Sequence, residues 1–354
     1  MARYRDPIRG RGTNAAPHNR FEAERFEPDP ETGFADLETP DPRTEYIADA
    51  SRSALSKNQS PDVGFDVGVN PYRGCTHGCV WCYARPTHEY LGYSAGLDFE
   101  TKILVKHELP ELLRAQLAAK SWKPQVIGMS GVTDCYQPIE RTLRITRRAL
   151  EVLADFRNPC SIISKSQLVA RDIDVLQELA RHDAVSVTIS LTTLDPELAR
   201  RMEPRTAQPN ARLATVTRLA RAGIPVGVNL APIVPGLTDH EIPALAEAAA
   251  GAGAAWAGSQ LVRLPYAVKD IFSDWLAAHY PDRREKVLHR IGDVRDGKLN
   301  DARFGVRHRG TGLWAEQIAE LVALARRRNG LASSGPALSV AAFRRPGTSQ
   351  LALF

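Results

Sequence analysis

Three cysteines crowd into eight residues, Cys75-Thr-His-Gly-Cys79-Val-Trp-Cys82, and an aromatic residue, Tyr83, follows the last of them directly. Thiols set so closely in one loop favour metal ligation over disulfides wherever the surroundings are reducing. No fourth cysteine stands nearby. A 4Fe-4S cubane held by four thiolates has no open iron, whereas three thiolates leave one iron free to bind a small molecule. Gly74 and Gly78 allow the backbone to curl around such a cluster. The alternative is a tetrahedral zinc centre that takes His77 or His88 as its fourth ligand.

A loop of this kind needs a rigid frame, and the remaining pattern supplies one. Apolar, β-rich runs at 67–71, 125–130, 161–164, 185–191, 225–230 and 258–264 predict six strands. Amphipathic runs at 141–156, 172–181, 196–202, 211–222 and 241–250 predict helices between them, with further helices around Trp275 and Trp314. Asp172 is placed to cap one start, Gly223 to stop another helix, and Pro232, Pro235 and Gly236 to force a loop after the fifth strand. Strands separated by helices pair in parallel through right-handed crossovers. The expected fold is therefore α/β, a partial (β/α)6 TIM-like barrel whose site forms at the C-terminal ends of the strands. The expected divisions are an irregular extension over 1–60, the barrel over 61–270, a helical region over 271–335 and a flexible tail over 336–354.

With 43% hydrophobic and 25% charged residues the composition is that of a soluble globular chain, and 354 residues suit one large domain with tails. No run approaches the roughly 18 consecutive apolar residues of a membrane helix, and the N-terminus lacks an apolar leader, so a cytoplasmic protein without membrane contact is expected. The net charge of +5 is modest, but eight arginines face three acidic residues from Asp301 onward. That bias suits either a solvated helix face and tail or a phosphate-contacting surface.

CxxxCxxC followed by an aromatic residue, after the first strand of a parallel barrel, resembles the radical S-adenosylmethionine (SAM) superfamily. The stretches Asn70-Pro-Tyr-Arg-Gly-Cys75, Cys82-Tyr83-Ala84-Arg85 and Thr101-Lys-Ile-Leu-Val-Lys106 resemble, more narrowly, the branch containing spore photoproduct lyase and its uncharacterised bacterial relatives. The basic segment from Gly10-Arg-Gly12 to Asn19-Arg-Phe21 is similar only to the latter. The resemblance implies a 4Fe-4S cluster on Cys75, Cys79 and Cys82, whose open iron chelates the amino and carboxylate groups of SAM. An external electron donor then allows reductive cleavage to a 5'-deoxyadenosyl radical that abstracts hydrogen. Because the lyase reverses a thymine dimer, the resemblance also implies a DNA substrate. The alternatives are modification of a protein or small metabolite by the same machinery, and a non-catalytic zinc module.

The same resemblance suggests roles for strand-end residues. Ser130, Gly131, Thr133 and Asp134 follow the second strand, where the superfamily sets a glycine-containing motif against the methionine amino group; Asp134 would accept from the amine, or cap the next helix. Lys165 would neutralise the SAM carboxylate, or join a surface ion pair. Ser190 would hydrogen-bond ribose or carboxylate, Tyr83 would meet adenine and Asn229 would offer SAM an amide; each has packing or backbone satisfaction as its plainer role. Cys135 would return a hydrogen atom to a product radical, with Tyr136 extending the relay, or it is a buried inert thiol, as Cys160 is expected to be. Finally, Gln350-Leu-Ala-Leu-Phe354 resembles the peptide by which bacterial repair proteins dock into the sliding clamp, with Gln350 at the rim and Leu351, Leu353 and Phe354 as the apolar part.

Overall fold

The computed structural model describes residues 2–3, 8–23 and 43–346. In chain order, β1 (Glu45–Ala48), β2 (Leu55–Lys57), β3 (Val67–Val69), β4 (Tyr72–Arg73) and β5 (Lys102–Val105) precede helix α1 (Leu109–Ala118). Regular alternation then begins: β6 (Ile127–Met129), α2 (Ile145–Phe156), β7 (Cys160–Ser164), α3 (Ile173–Ala180), β8 (Val185–Ser190), α4 (Pro196–Met202) and α5 (Pro209–Arg221). It continues through β9 (Val226–Ile233), α6 (Ile242–Gly251) and β10 (Ala257–Leu261) to α7 (Val268–His279), α8 (Pro281–Asp293) and α9 (Gly312–Arg328).

Seven strands form one sheet in the order β10-β9-β8-β7-β6-β3-β2. The six expected strands run parallel within it, and β2 adds an antiparallel edge to β3. Among the described residues β2 and β10 do not pair, so the barrel is partial. The central strands β6 and β8 are buried along almost their whole length, β8 even though it alternates Val, Ser, Val, Thr, Ile, Ser, because both faces are covered. Helix α2 shows how a covering layer forms: Ile145, Ala149, Leu150, Leu153 and Phe156 recur at helical spacing and are all buried. Truncating the fully buried Leu153 to alanine would cost about 2–5 kcal/mol.

Several expectations change in detail. The helix expected over 141–156 breaks at Arg144, which takes a left-handed φ of 52°, and the Glu140 carboxylate accepts the Thr146 N–H at 3.1 Å where α2 begins. Asp172 caps nothing with its side chain; it pairs instead with Arg171 and Arg147. The fifth strand does not stop before Pro232. Its ladder with β10 slips between Leu230 and Ile233, which accommodates a residue without an N–H, and β9 continues to Ile233. The sixth strand ends at Leu261 rather than at 264.

The ends are more tightly attached than composition suggested. Residues 339–345, expected to be flexible, lie along the body: Ser339 N–H donates to Asp183 O, Arg344 N–H donates to Phe156 O, and the rings of Phe343 and Phe156 are 6.2 Å apart. The clamp-like residues Gln350, Leu351, Leu353 and Phe354 lie outside the described residues. Helices α7 and α8 share a second apolar cluster with Val80 of the cysteine loop and Met202 of α4. No described helix is long and apolar enough to cross a membrane.

Candidate active site

The cysteine loop leaves β4 and is held from three sides. Gly74 and Gly78 have φ of 77° and 68°, the left-handed conformation that lets the chain reverse there. Arg85, fully buried, donates to Cys79 O at 3.0 Å and Gly78 O at 3.3 Å, and its charge is met by Glu100 at 2.5 Å. Two opposite charges taken out of water together form a fixture that is costly to break from one side. From the N-terminal segment, the Gly12 N–H donates to the other Glu100 oxygen at 2.9 Å. A Cβ on Gly12 would lie 1.7 Å from Gly78 O, so this strap presses backbone against backbone on the loop. On the remaining side the Val80 N–H donates to Met202 O.

Behind the loop His77 meets Asp134. His77 Nδ1 is 3.4 Å from Asp134 Oδ2, and Asp134 also accepts from the N–H groups of Tyr136 and Lys165 and from the Ser164 hydroxyl, all at 2.8–2.9 Å. Burial works against both charges. Asp134 and Cys75 nevertheless raise His77 to about 10, while His77 and the backbone donors hold Asp134 down to about 2. Burial likewise opposes the Cys75 thiolate, but His77 outweighs it and draws that thiol below its ordinary range. Burial raises Cys79 and Cys82.

The loop forms one wall of a cavity of about 410 Å³ lined by Cys75, Cys79, Cys82, Tyr83, Ser130, Gly131, Asp134, Lys165, Ser190 and Asn229. Every residue singled out for the cluster or SAM is thus at one place. The ladder explains why: Ser190 is the register partner of Asn229, and Lys165 directly follows β7, so successive strands present their ends at one level. Asn229 lies within β9 rather than at its end. Ser130 has φ 72°, a strained backbone for a residue with a Cβ, located where β6 enters the cavity wall. The Tyr83 hydroxyl donates to Gly131 O at 2.8 Å.

Two expected roles have no geometric footing. Cys135 and Tyr136 are fully buried and line no part of the cavity; Cys135 joins the main apolar core, and the Tyr136 hydroxyl donates to Asp172 at 3.0 Å. Burial raises both well above their ordinary values. The chain turns inward after Asp134 because the Cys135 N–H donates to Ser130 Oγ, and this takes the thiol into the core instead of the mouth. Cys160 is buried core, as expected.

The donor set fits a cubane. The three cysteines are free thiols facing one space, and among the described residues no three His, Cys, Asp or Glu side chains converge on a single point for one ion. A cubane takes each thiolate on a separate iron and needs no such convergence. Both histidines are otherwise engaged: His77 lies between Asp134 and the Cys75 thiol, and His88 is packed against the rings of Tyr93 and Phe99 at 5.3 and 5.6 Å.

Two residues that complete the cavity escaped sequence reasoning, Lys57 on β2 and Arg263 after β10; Arg307 and His308 beyond α8, also in its lining, belong to the arginine-rich stretch after Asp301 for which a phosphate-contacting surface was one reading. Arg263 stands two residues beyond a strand end, the position where barrel sites form, and that rule alone pointed to it. Arg307 pairs with Asp62, and the His308 carbonyl accepts from Leu261 N–H at 2.9 Å; the segment between them spans the open side of the sheet.

Comparison with known proteins places this geometry. An uncharacterised protein of Mycobacterium tuberculosis is 37% identical over 246 residues, covering 68% of this chain and 72% of that one. A protein of Pseudomonas phage M6 named a radical SAM Nalpha-GlyT isomerase is 28% identical over 175 residues, 49% of this chain and 34% of its own. Among solved structures, spore photoproduct lyase superposes with a TM-score of 0.59 at 16% identity, covering 81% of this chain and 80% of that one, which is a likeness of fold. Residues 69–249, which include the three cysteines and most of the cavity wall, match the radical SAM superfamily. The chain therefore belongs to the radical SAM superfamily, with a spore photoproduct lyase-like fold and with that superfamily's 4Fe-4S cluster and SAM as its cofactors.

Proposed function

We propose that this enzyme binds its cluster through Cys75, Cys79 and Cys82 and cleaves SAM reductively in order to repair or modify a nucleotide in DNA. The observation that carries the reading is the meeting of three thiols with Lys165, Ser190, Asn229 and Tyr83 in one cavity. When bound, the cluster and SAM supply a 5'-deoxyadenosyl radical, with the electron coming from an external donor.

The chain's own residues prepare that space. Lys165 Nζ lies 4.0 Å from Glu203, too far for a hydrogen bond, and 4.8 Å from the Trp81 ring centre. Glu203 is engaged by Arg212 and Thr192, which leaves the Lys165 ammonium facing the cavity with donors available for the SAM carboxylate. Ser190 and Asn229 offer hydroxyl and amide groups at the same level. Asp134 accepts four hydrogen bonds or ion-pair contacts already, so its work is to lock the loop to β7 rather than to receive the SAM amine. The DNA part of the reading is supported by the cationic lining and by the likeness to a lyase whose structure holds a dinucleoside photoproduct.

The test is anaerobic reconstitution with iron and sulfide, followed by mass spectrometry for 5'-deoxyadenosine with and without lesion-bearing DNA. Reductant-dependent 5'-deoxyadenosine that is lost in each single Cys75→Ala, Cys79→Ala or Cys82→Ala variant is expected. Cleavage retained in any one of these would overturn the ligand assignment, and a yield and product profile indifferent to DNA would overturn the substrate class.

A further inference from the structure

The cations around the cavity are not equivalent. Asp134 is the one carboxylate among its lining residues, and it is committed to His77. Of the cations, Arg307 pairs with Asp62 and also donates to Ser60, while Lys165 stands near Glu203. Arg263 is different. Among the described residues no carboxylate, carbonyl or hydroxyl takes a hydrogen bond from its guanidinium, which is held 4.3 Å above the Tyr83 ring centre.

That ring is itself fixed by its hydroxyl on Gly131 and lies next to the cluster ligand Cys82. Arg263 is half-buried, beside Arg307 and His308, so water compensates its charge only in part. Five fixed donors without an acceptor are expensive in such a place unless a ligand supplies one. A planar guanidinium is matched in shape by the oxygens of a phosphate, and its stack on an aromatic face fixes the direction of that fork. Lys57, an exposed ammonium on the same rim, extends the cationic track away from the cysteines.

We propose that Arg263, positioned by Tyr83, is a phosphodiester-binding subsite that anchors the backbone of a single-stranded or extruded nucleotide with its sugar and base towards the cluster. This rests on the DNA reading above and makes it specific. The Lys165 ammonium serves the SAM carboxylate, so the two anions have separate cations.

The test measures binding of reconstituted holoenzyme to a fluorescein-labelled decathymidylate, to the same oligomer with uncharged methylphosphonate linkages, and to SAM. Wild type should prefer the phosphodiester form. Arg263→Gln should weaken that binding roughly 10- to 100-fold, the worth of a charged hydrogen-bonding contact, and lower the salt dependence by about one phosphate. Arg263→Lys should keep part of the affinity as a point charge. SAM binding and the thermal midpoint should stay as in wild type, which shows that both variants fold. Equal oligomer binding by wild type and Arg263→Gln overturns the subsite and leaves the DNA reading standing. A loss of SAM affinity without a loss of oligomer affinity would assign Arg263 to the methionyl carboxylate, against the proposal. Wild type that binds neither oligomer overturns the DNA reading and the subsite together.

Discussion

Replacing Gly12 with alanine tests whether the N-terminal strap supports the cysteine loop. The added Cβ would sit 1.7 Å from Gly78 O and 2.9 Å from Gly78 C, both backbone atoms that no rotamer change can move aside. To recover an ordinary contact of 3.4 Å, strap or loop must yield by about 1.7 Å. A shift of that size breaks the 2.9 Å bond from Gly12 N–H to Glu100. Glu100 keeps Arg85, so the loss is one charge-assisted bond rather than an exposed buried charge, about 1.5–3 kcal/mol. For a chain of this size that lowers the melting midpoint by roughly 2–4 °C. The assay is thermal unfolding of the cluster-free protein, with limited proteolysis at the strap and, after reconstitution, the rate of iron loss to a chelator. Gly64→Ala is the control: nothing lies within 4 Å of a Cβ there, so its effect should stay within about 0.5 kcal/mol. A Gly12→Ala protein that melts, resists protease and retains iron like Gly64→Ala would refute the supporting role of the strap.

Cys135→Ala should leave SAM cleavage and the product profile unchanged while costing about 0.5–3 kcal/mol of stability, because the thiol is core; a shift to by-products would restore it as a hydrogen donor. Burial lowers His88 from 6.5 to about 4, so between those values the unfolded chain binds a proton that the folded one refuses, and stability falls as the pH drops through that window. The effect is at most about 3 kcal/mol, and chemical denaturation at pH 7.5 and 4.5 should show a smaller loss for His88→Phe than for wild type. Equal losses would mean that His88 is not the group responsible. A labelled peptide of the final dozen or so residues should bind purified sliding clamp, and Leu353→Ala with Phe354→Ala should abolish this; binding by neither peptide, or equally by both, removes the docking role.

Much of the site was readable because it depends on periodicity and on one compact motif. Six strands at the right spacing fixed where their ends would gather, and residues at or just past those ends, such as Ser190, Ser130 and Lys165, duly line the cavity. What escaped was long-range pairing. Nothing local marks Gly12 as the partner of Gly78, or Glu100 as that of Arg85, since both contacts are decided by how distant segments pack. Cys135 shows the opposite hazard: its position suggested the mouth, but a single bond from its N–H to Ser130 reversed its direction. Arg144 stopped a helix that periodicity carried on, because capping by Glu140 outweighed pattern.

Six strands and one antiparallel edge leave a gap, and the segment that crosses it, around 304–308, is secured to the far side by Arg307 and by the Gly305 N–H on Asp62, not by a strand ladder. Such a clasp has its own mechanical character. Parting a ladder means giving up a row of backbone bonds at once, whereas this seam opens on the loss of a few contacts centred on one carboxylate. Breathing of the molecule should therefore be uneven, with amide exchange fastest at the seam and slowest in β7 and β8 opposite.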